Sequence, residues 1–303
     1  MKIEEIRDLF KEKDLKIKFE EDLKKKNWFN IGGKAKVFYI ANDLSELIYF
    51  LKKIDQKEKI FIIGAGSNML ISDDLFDGVV IKMGKRFSNI SLLGDDRIIA
   101  GTGVLDKKLS EFAAKNSLGG LEFLSCIPGT IGGGIRMNAG CFDREFRDIL
   151  ISVQVINSKG EMKTIPVEDI NFSYRNSDLS KDYIFLSASF KGKVEDKLDI
   201  EKKMIELKKR KDLSQPTRIK TSGSTFKNPK SQTKKKVWEL IYDSISLDTS
   251  FGDACISKKH CNFFVNKGNA SFKDMNNLIN YVSKKVFEKT GINLEKEIKI
   301  LKN

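Results

Sequence analysis

Histidine is almost missing from this chain of 303 residues: His260 is the only one. A His-rich metal centre is thereby excluded, and a Ser-His-Asp triad would have to rest on that one residue. The four cysteines, at 126, 141, 255 and 261, form no CxxC pair and no zinc-like spacing. They read as free thiols of a reducing compartment, with no metal expected. No run approaches the ~20 apolar residues of a membrane-spanning helix. The opening MKIEEIRDLFKEKDLKI carries early acidic residues and no apolar stretch of signal-peptide length. We therefore expect a cytoplasmic protein without membrane insertion. Arginine is scarce as well, nine against 46 lysines within a net charge of +13. Bidentate recognition of phosphates and bases favours Arg, so nucleic acid is a poor partner. A lysine-rich surface suits solvent or a small polyanionic ligand.

Apolar residues are ample, at 40% with 21 phenylalanines, which rules out wholesale disorder. The length predicts two or three compact units of about 100–150 residues. Ile3, Ile6, Leu9 and Phe10 recur at helical spacing, and 37–41 reads as a strand. Asp43 reads as the N-cap of a helix with Leu44, Leu47, Ile48 and Leu51 on one face. Residues 59–63 read as a buried strand, and 78–83 as another. Fourteen of the 22 glycines then fall between Gly64 and Gly140. Such density lets backbone approach something closely or adopt positive φ. With strands at 97–100, 150–157 and 183–191 and a helix near 106–115, this stretch predicts an α+β unit whose loops grip a ligand. Residues 193–211 predict a charged helix with Leu198, Ile200, Met204, Ile205 and Leu207 as its apolar side. A further unit follows: the loop TSGSTFKNP (221–229), a helix around Val237, Trp238, Leu240 and Ile241, and a strand at 262–266. Ser271 and Asp274 are spaced as a capping box for a last helix, whose core face is Phe272, Met275, Leu278, Ile279, Val282 and Val286. Gly291 stops it, and 297–301 reads as a terminal strand.

Several segments can carry chemistry. GAGSN (64–68) follows an apolar strand, and its amides with Ser67 and Asn68 suit a diphosphate. It is no dinucleotide fingerprint, because Met69 stands where Gly is required and no Walker lysine follows. A tight turn explains it equally well. GLEFLSCIPGTIGGGIRMNAG (120–140) is harder to explain as structure alone, since each Gly costs about 0.5–1 kcal/mol relative to Ala in a regular element. A flat cofactor lying along the backbone supplies a reason, with a surface Ω-loop as the alternative. YRNS (174–177) presents Arg175, which singly is a surface or ion-pair residue. GSTFKNP offers Ser224 after a flexible Gly223, then Lys227 and Asn228, or else an ordinary turn. Glu297 sits on an alternating terminal strand, and His260 reads as a satisfied structural histidine.

In order and spacing, NWFNIGGKA (27–35), GAGSN, EFLSCIPGTIGGGIRMNAG (122–140), YRNS, GSTFKNP, SKKHCNFFVN and LEKEIKI (294–300) resemble the UDP-N-acetylenolpyruvoylglucosamine reductase (MurB) family, flavoenzymes of peptidoglycan synthesis. The resemblance spans nearly the whole chain. It implies an α+β fold: an FAD-binding domain of the PCMH type over 1–192, built of two α+β subdomains (about 1–85 and 86–192), then a C-terminal α+β substrate-binding domain over 193–303. It implies FAD on Gly64, Ala65, Gly66, Ser67, Asn68, Pro128, Gly129, Thr130, Gly132, Gly133, Asn138, Ala139 and Gly140. NADPH would reduce the flavin and leave, and a UDP-sugar enol ether would then take hydride from flavin N5 at its vinyl carbon. Carried over by motif, Arg175 and Glu297 stabilise the enolate-like carboxylate and Ser224 supplies the proton. Glu297 would have to be protonated to donate a hydrogen bond there. Lys227 and Asn228 would hold the substrate diphosphate. The implied partner is a small UDP-sugar, and the expected state is a monomer.

Only five residues, 178–182, separate YRNS from the strand at Tyr183, which leaves no room for the tyrosine-bearing insertion of one branch of the family. The chain resembles the shorter branch. It departs from the usual pattern at Trp28, Arg136, Cys141, Phe142, Asp253 and Lys299, none a presumed catalytic group. Two other readings compete. An FAD-linked oxidase or dehydrogenase would share the glycine-rich cradle but not GSTFKNP with a terminal Glu. A basic nucleic-acid-binding protein would need Arg-rich or aromatic-studded patches.

Overall fold

A computed structural model describes Met1–Asn303. The residues gather into two compact units that interleave along the chain. Unit 1 comprises Met1–Phe19, Lys36–Ala65 and Gly78–Lys211, and unit 2 comprises Glu20–Ala35, Gly66–Asp77 and Asp212–Asn303. Helices and strands mix throughout, as an α+β fold requires.

Unit 1 contains two apolar cores. In the first, helices Ile3–Phe10 and Leu44–Lys53 accompany a sheet ordered Lys16–Asp22, Lys34–Ala41, Phe76–Met83, Ile60–Ile63, the last two strands parallel. Asp43 caps the second helix as expected, its carboxylate accepting the Glu46 amide at 2.9 Å. Phe50 stacks on both Phe10 and Tyr39, with ring centroids 4.8 and 4.3 Å apart. The second core lies on a five-stranded antiparallel sheet ordered Met162–Pro166, Leu150–Ile156, Ile184–Lys191, Arg97–Gly101, Ile90–Leu93. Helix Asp106–Lys115 contributes Leu109 and Ala113, and helix Ile131–Arg136 contributes Ile131 and Ile135.

That second helix is a departure from expectation, because it runs through the glycine triplet. Gly132, Gly133 and Gly134 are helical, and tertiary packing explains two of them. A Cβ on Gly134 would overlap the Phe146 ring, and one on Gly132 would stand 3.1 Å from Thr102 Cβ. The charged helix also differs. It spans Lys197–Ser214, because Lys193–Val194 first pairs with Leu118–Gly119. Of its expected apolar side only Ile200 is buried, while Leu198 and Ile205 are 73% and 55% exposed.

Unit 2 packs helices Val237–Ser244 and Phe272–Thr290 around Phe29, Leu70, Phe226, Phe264, Met275 and Ile279. Ser271 Oγ accepts the Asp274 amide at 3.1 Å and Asp274 Oδ2 accepts the Ser271 amide at 2.9 Å, the expected capping box. Gly291 ends that helix at φ +70°. Ser250–Phe251, Ala254–Ile256 and Phe264–Asn266 form an antiparallel meander. Lys299–Leu301 pairs in parallel with Met69–Ile71.

Candidate functional site

In unit 1, two glycine loops distant in sequence meet. A Cβ on Gly64 would overlap Thr130 Oγ1, so only glycine admits this approach. Thr130 is fixed by a bridge to Leu105, and Gly129 O accepts the Asp106 amide at 3.1 Å. Pro128 and Gly133 remain exposed, and the nearest atom to a Cβ on Gly133 is Thr130 Oγ1 at 3.7 Å. The turn therefore presents an open backbone face at Pro128 and Gly133, whereas a Cβ on Gly129 would overlap Asp106 Oδ2, so that glycine answers to packing. Downstream, Asn138 is fully buried and takes the left-handed conformation at φ +39°. Its side chain donates to Ser173 O (3.2 Å) and accepts from the Arg147 amide (3.1 Å). Ala139 and Gly140 follow, and Gly140 O accepts Arg175 Nη2 at 2.7 Å.

The GAGSN segment itself fits an anion. No backbone acceptor takes the amides of Ala65, Gly66, Ser67 or Asn68 within the fold, which leaves a run of donors of the kind that cradles phosphate. Gly66 sits at φ +66° against the Lys26 carbonyl, a place where a side chain would collide with backbone. Each of these features, the open glycine face of unit 1 and the unspent amides of the GAGSN segment, suits a dinucleotide cofactor such as FAD.

Unit 2 gathers a second set. Ser224 is half-buried behind Gly223, whose φ is +77°. Next to it, Thr225 O accepts the Glu297 amide at 2.8 Å, so the segments bearing Ser224 and Glu297 run side by side, although the terminal strand begins only at Lys299 and Glu297 precedes it, contrary to expectation. Asn262 locks this arrangement: its carboxamide accepts from Phe226 N–H (3.0 Å) and donates to Phe226 O (2.8 Å), while its own carbonyl takes the Thr225 amide at 2.8 Å. Asn68 Nδ2 donates to Glu297 O at 3.1 Å. Lys227 Nζ meets Glu295 Oε1 at 2.6 Å, and Asn228 Oδ1 accepts the first amide of helix Val237–Ser244 at 3.0 Å. Both expected diphosphate ligands thus already have protein partners.

His260 packs edge-on to Phe263 at 4.7 Å, and burial holds its pKa below the ordinary imidazole value. Its Nδ1 is buried with no partner, so it is structural but not satisfied. The Cys126 side chain and then burial push the Cys141 thiol far above its usual range, so it stays protonated and donates to Phe123 O at 3.3 Å. Asp106 escaped sequence reasoning. It looks like any acidic first-turn residue, yet it is wholly buried, with neither carboxyl oxygen partnered.

Residues 35–166 match the FAD binding domain family model. By fold and site the protein is an FAD-binding flavoprotein. Residues 215–301 match the model of the UDP-N-acetylenolpyruvoylglucosamine reductase C-terminal domain. The chain is 64% identical over 302 residues to the UDP-N-acetylenolpyruvoylglucosamine reductase of Pelagibacter ubique (strain HTCC1062), spanning 100% of both chains. It is 43% identical over 278 residues to that of Rickettsia bellii (strain RML369-C), covering 92% and 91%. The crystal structure of the Thermus caldophilus reductase superposes with a TM-score of 0.80 at 30% identity, covering 95% of this chain and 99% of that one. The chain belongs to the UDP-N-acetylenolpyruvoylglucosamine reductase family, and it is an oxidoreductase.

Proposed function

We propose that the protein reduces the enolpyruvyl ether of UDP-N-acetylglucosamine to UDP-N-acetylmuramate with NADPH as reductant, as a cytoplasmic monomer making peptidoglycan precursor. Residues 1–192 serve the cofactor and 193–303 the substrate. The bond from the Glu297 amide to Thr225 O, beside Ser224, supports this reading, since GSTFKNP with a terminal Glu is what separates the reductase from other FAD enzymes. FAD, when bound on Gly64–Asn68, Pro128–Thr130, Gly132, Gly133 and Asn138–Gly140, supplies the hydride chemistry. Arg175 offers a fixed guanidinium to the substrate carboxylate as negative charge grows on it. Ser224 gives its proton to the α-carbon, and it can do so because that carbon is strongly basic and water is excluded. Glu297, protonated, donates a hydrogen bond to the same carboxylate. Lys227 and Asn228 hold the diphosphate. No helix is long and apolar enough to cross a membrane.

The test is a visible spectrum of the purified protein, followed by NADPH and then the enolpyruvyl ether under nitrogen. A flavin band that bleaches and then returns with the ether supports the reductase, whereas return with oxygen alone favours the oxidase reading. Ser224→Ala and Glu297→Gln are each expected to leave bleaching intact and slow the return. Equal loss in both halves for Ser224→Ala removes the proton-donor role, and a fully active Glu297→Gln removes Glu297 from the mechanism.

A further inference from the structure

Two segments of unit 1 carry the chemistry assigned above. One is the cradle ending at Arg136–Gly140, the other the turn from Phe172 to Tyr183 that bears Arg175. The turn is short, and Arg175 itself stands in the left-handed region at φ +57°, which residues other than glycine adopt uncommonly. Such a backbone persists only where its surroundings over-determine it. Arg136 holds the C-terminal limb of that turn. Its Nη1 donates to the carbonyls of Leu179 (2.6 Å) and Ser180 (2.9 Å), and its Nη2 donates to that of Tyr183 (2.9 Å). The guanidinium also lies over the Phe185 ring, 4.3 Å from its centroid.

None of these partners is a carboxylate. Burial brings the Arg136 pKa down to about 10, which still leaves the group charged at neutral pH. A guanidinium spent entirely on backbone carbonyls is a costly way to close a loop unless the position of that loop matters. Three further bonds join the same two segments. Ser177 Oγ donates to Arg136 O (3.1 Å), Asn138 Nδ2 to Ser173 O (3.2 Å), and Arg175 Nη2 to Gly140 O (2.7 Å). The cradle segment thus grips the turn on both sides of Arg175.

We propose that Arg136 is a positioning residue, a staple that holds the Arg175 turn on the cofactor cradle and so aims the Arg175 guanidinium for the substrate carboxylate. The proposal rests on the reading of Arg175 given above. A planar fork meeting converging carbonyls is the geometry that Arg satisfies and Lys does not. Lysine at position 136 keeps the charge but loses the fork, and methionine loses both.

The test uses the FAD-loaded full chain and separates the two half-reactions by stopped flow. Arg136→Met is expected to keep its flavin spectrum and its rate of bleaching by NADPH within about twofold of the parent, while reoxidation by the enolpyruvyl ether slows about tenfold or more. Arg136→Lys should fall between. The double variant Arg136→Met/Arg175→Met should reoxidise within about twofold of Arg175→Met alone, because the staple acts only through Arg175. A staple that merely stabilised the fold would slow the double variant further or slow both halves alike. If Arg136→Met fails to load FAD, Ser177→Ala removes one bond of the same grip and should slow reoxidation alone. Slow Arg175→Met beside a parental Arg136→Met and Ser177→Ala overturns the staple. Arg175→Met with parental reoxidation overturns the Arg175 reading, and the staple's purpose with it.

Discussion

Asp106 should make the stability of unit 1 fall as pH rises. Its side chain is wholly buried at the first turn of helix Asp106–Lys115, and both carboxyl oxygens lack a hydrogen-bond partner. Burial alone raises its pKa well above the ordinary carboxyl value, and no neighbouring cation opposes the shift. The native state therefore keeps a proton that the unfolded state releases above about pH 3.9. The stability this neutral acid contributes is full below that pH and is lost as pH climbs toward the raised native value. Across that interval the slope is about −1.4 kcal/mol per pH unit for the one proton involved. At 2–4 °C per kcal/mol for a unit of this size, Tm should drop by roughly 3–5 °C per pH unit relative to a variant without the titration. Asp106→Asn is that variant, since it keeps the shape and cannot ionise. Urea or thermal unfolding of parent and Asp106→Asn from pH 4.5 to 8 gives two curves whose difference cancels the other carboxylates. They should meet at the acidic end and diverge steadily above it, with the variant more stable. Parallel curves would mean that Asp106 carries the same charge in both states, and the argument from burial would be refuted.

Other changes separate packing from binding. Gly134→Ala drives a methyl into the Phe146 ring, which should cost about 1–3 kcal/mol and lower Tm. Gly133→Ala meets nothing nearer than 3.7 Å; it should hold or raise Tm while weakening FAD binding in a flavin titration. Unchanged FAD affinity would remove Gly133 from the cofactor face. Asn262→Ala strands the buried N–H and C=O of Phe226, at about 1–3 kcal/mol for each. It should lower the Tm of unit 2 and slow reoxidation more than flavin reduction, and a variant that slows neither would leave Asn262 a bystander.

Local signals were read correctly where the cause is local. Asp43, the Ser271–Asp274 box and Gly291 each act within one turn of their own helix. The strand Met69–Ile71 gave no such sign, because its partner Lys299–Leu301 lies some 230 residues away. A helix through Gly132–Gly134 contradicts propensity, and it forms because the Phe146 ring and Thr102 leave no room for side chains. The face assigned to helix Lys197–Ser214 failed because apolar residues scattered among lysines mimic a stripe; only Ile200 finds a core. The proposed cofactor loops stand out as glycine density, although part of that density answers to protein packing. Ser224 and Glu297 stood out only through resemblance, since neither has a local mark of chemistry. Arg136 was visible only as an unusual residue, and its three carbonyl acceptors lie 43 to 47 positions along the chain.

The interleaving of the two units sets an order on synthesis. Every residue of unit 1 has emerged once Lys211 has left the ribosome, whereas unit 2 cannot close its parallel strand pair until Leu301 has followed. At 5–20 residues per second, that interval is roughly 5–20 s. For the earlier part of it Phe29, Ile31 and Leu70 wait while Phe226, Phe264 and Met275 emerge in turn to cover them. The nascent chain thus carries a half-built core past a finished one, and this is the window in which a chaperone has most to protect.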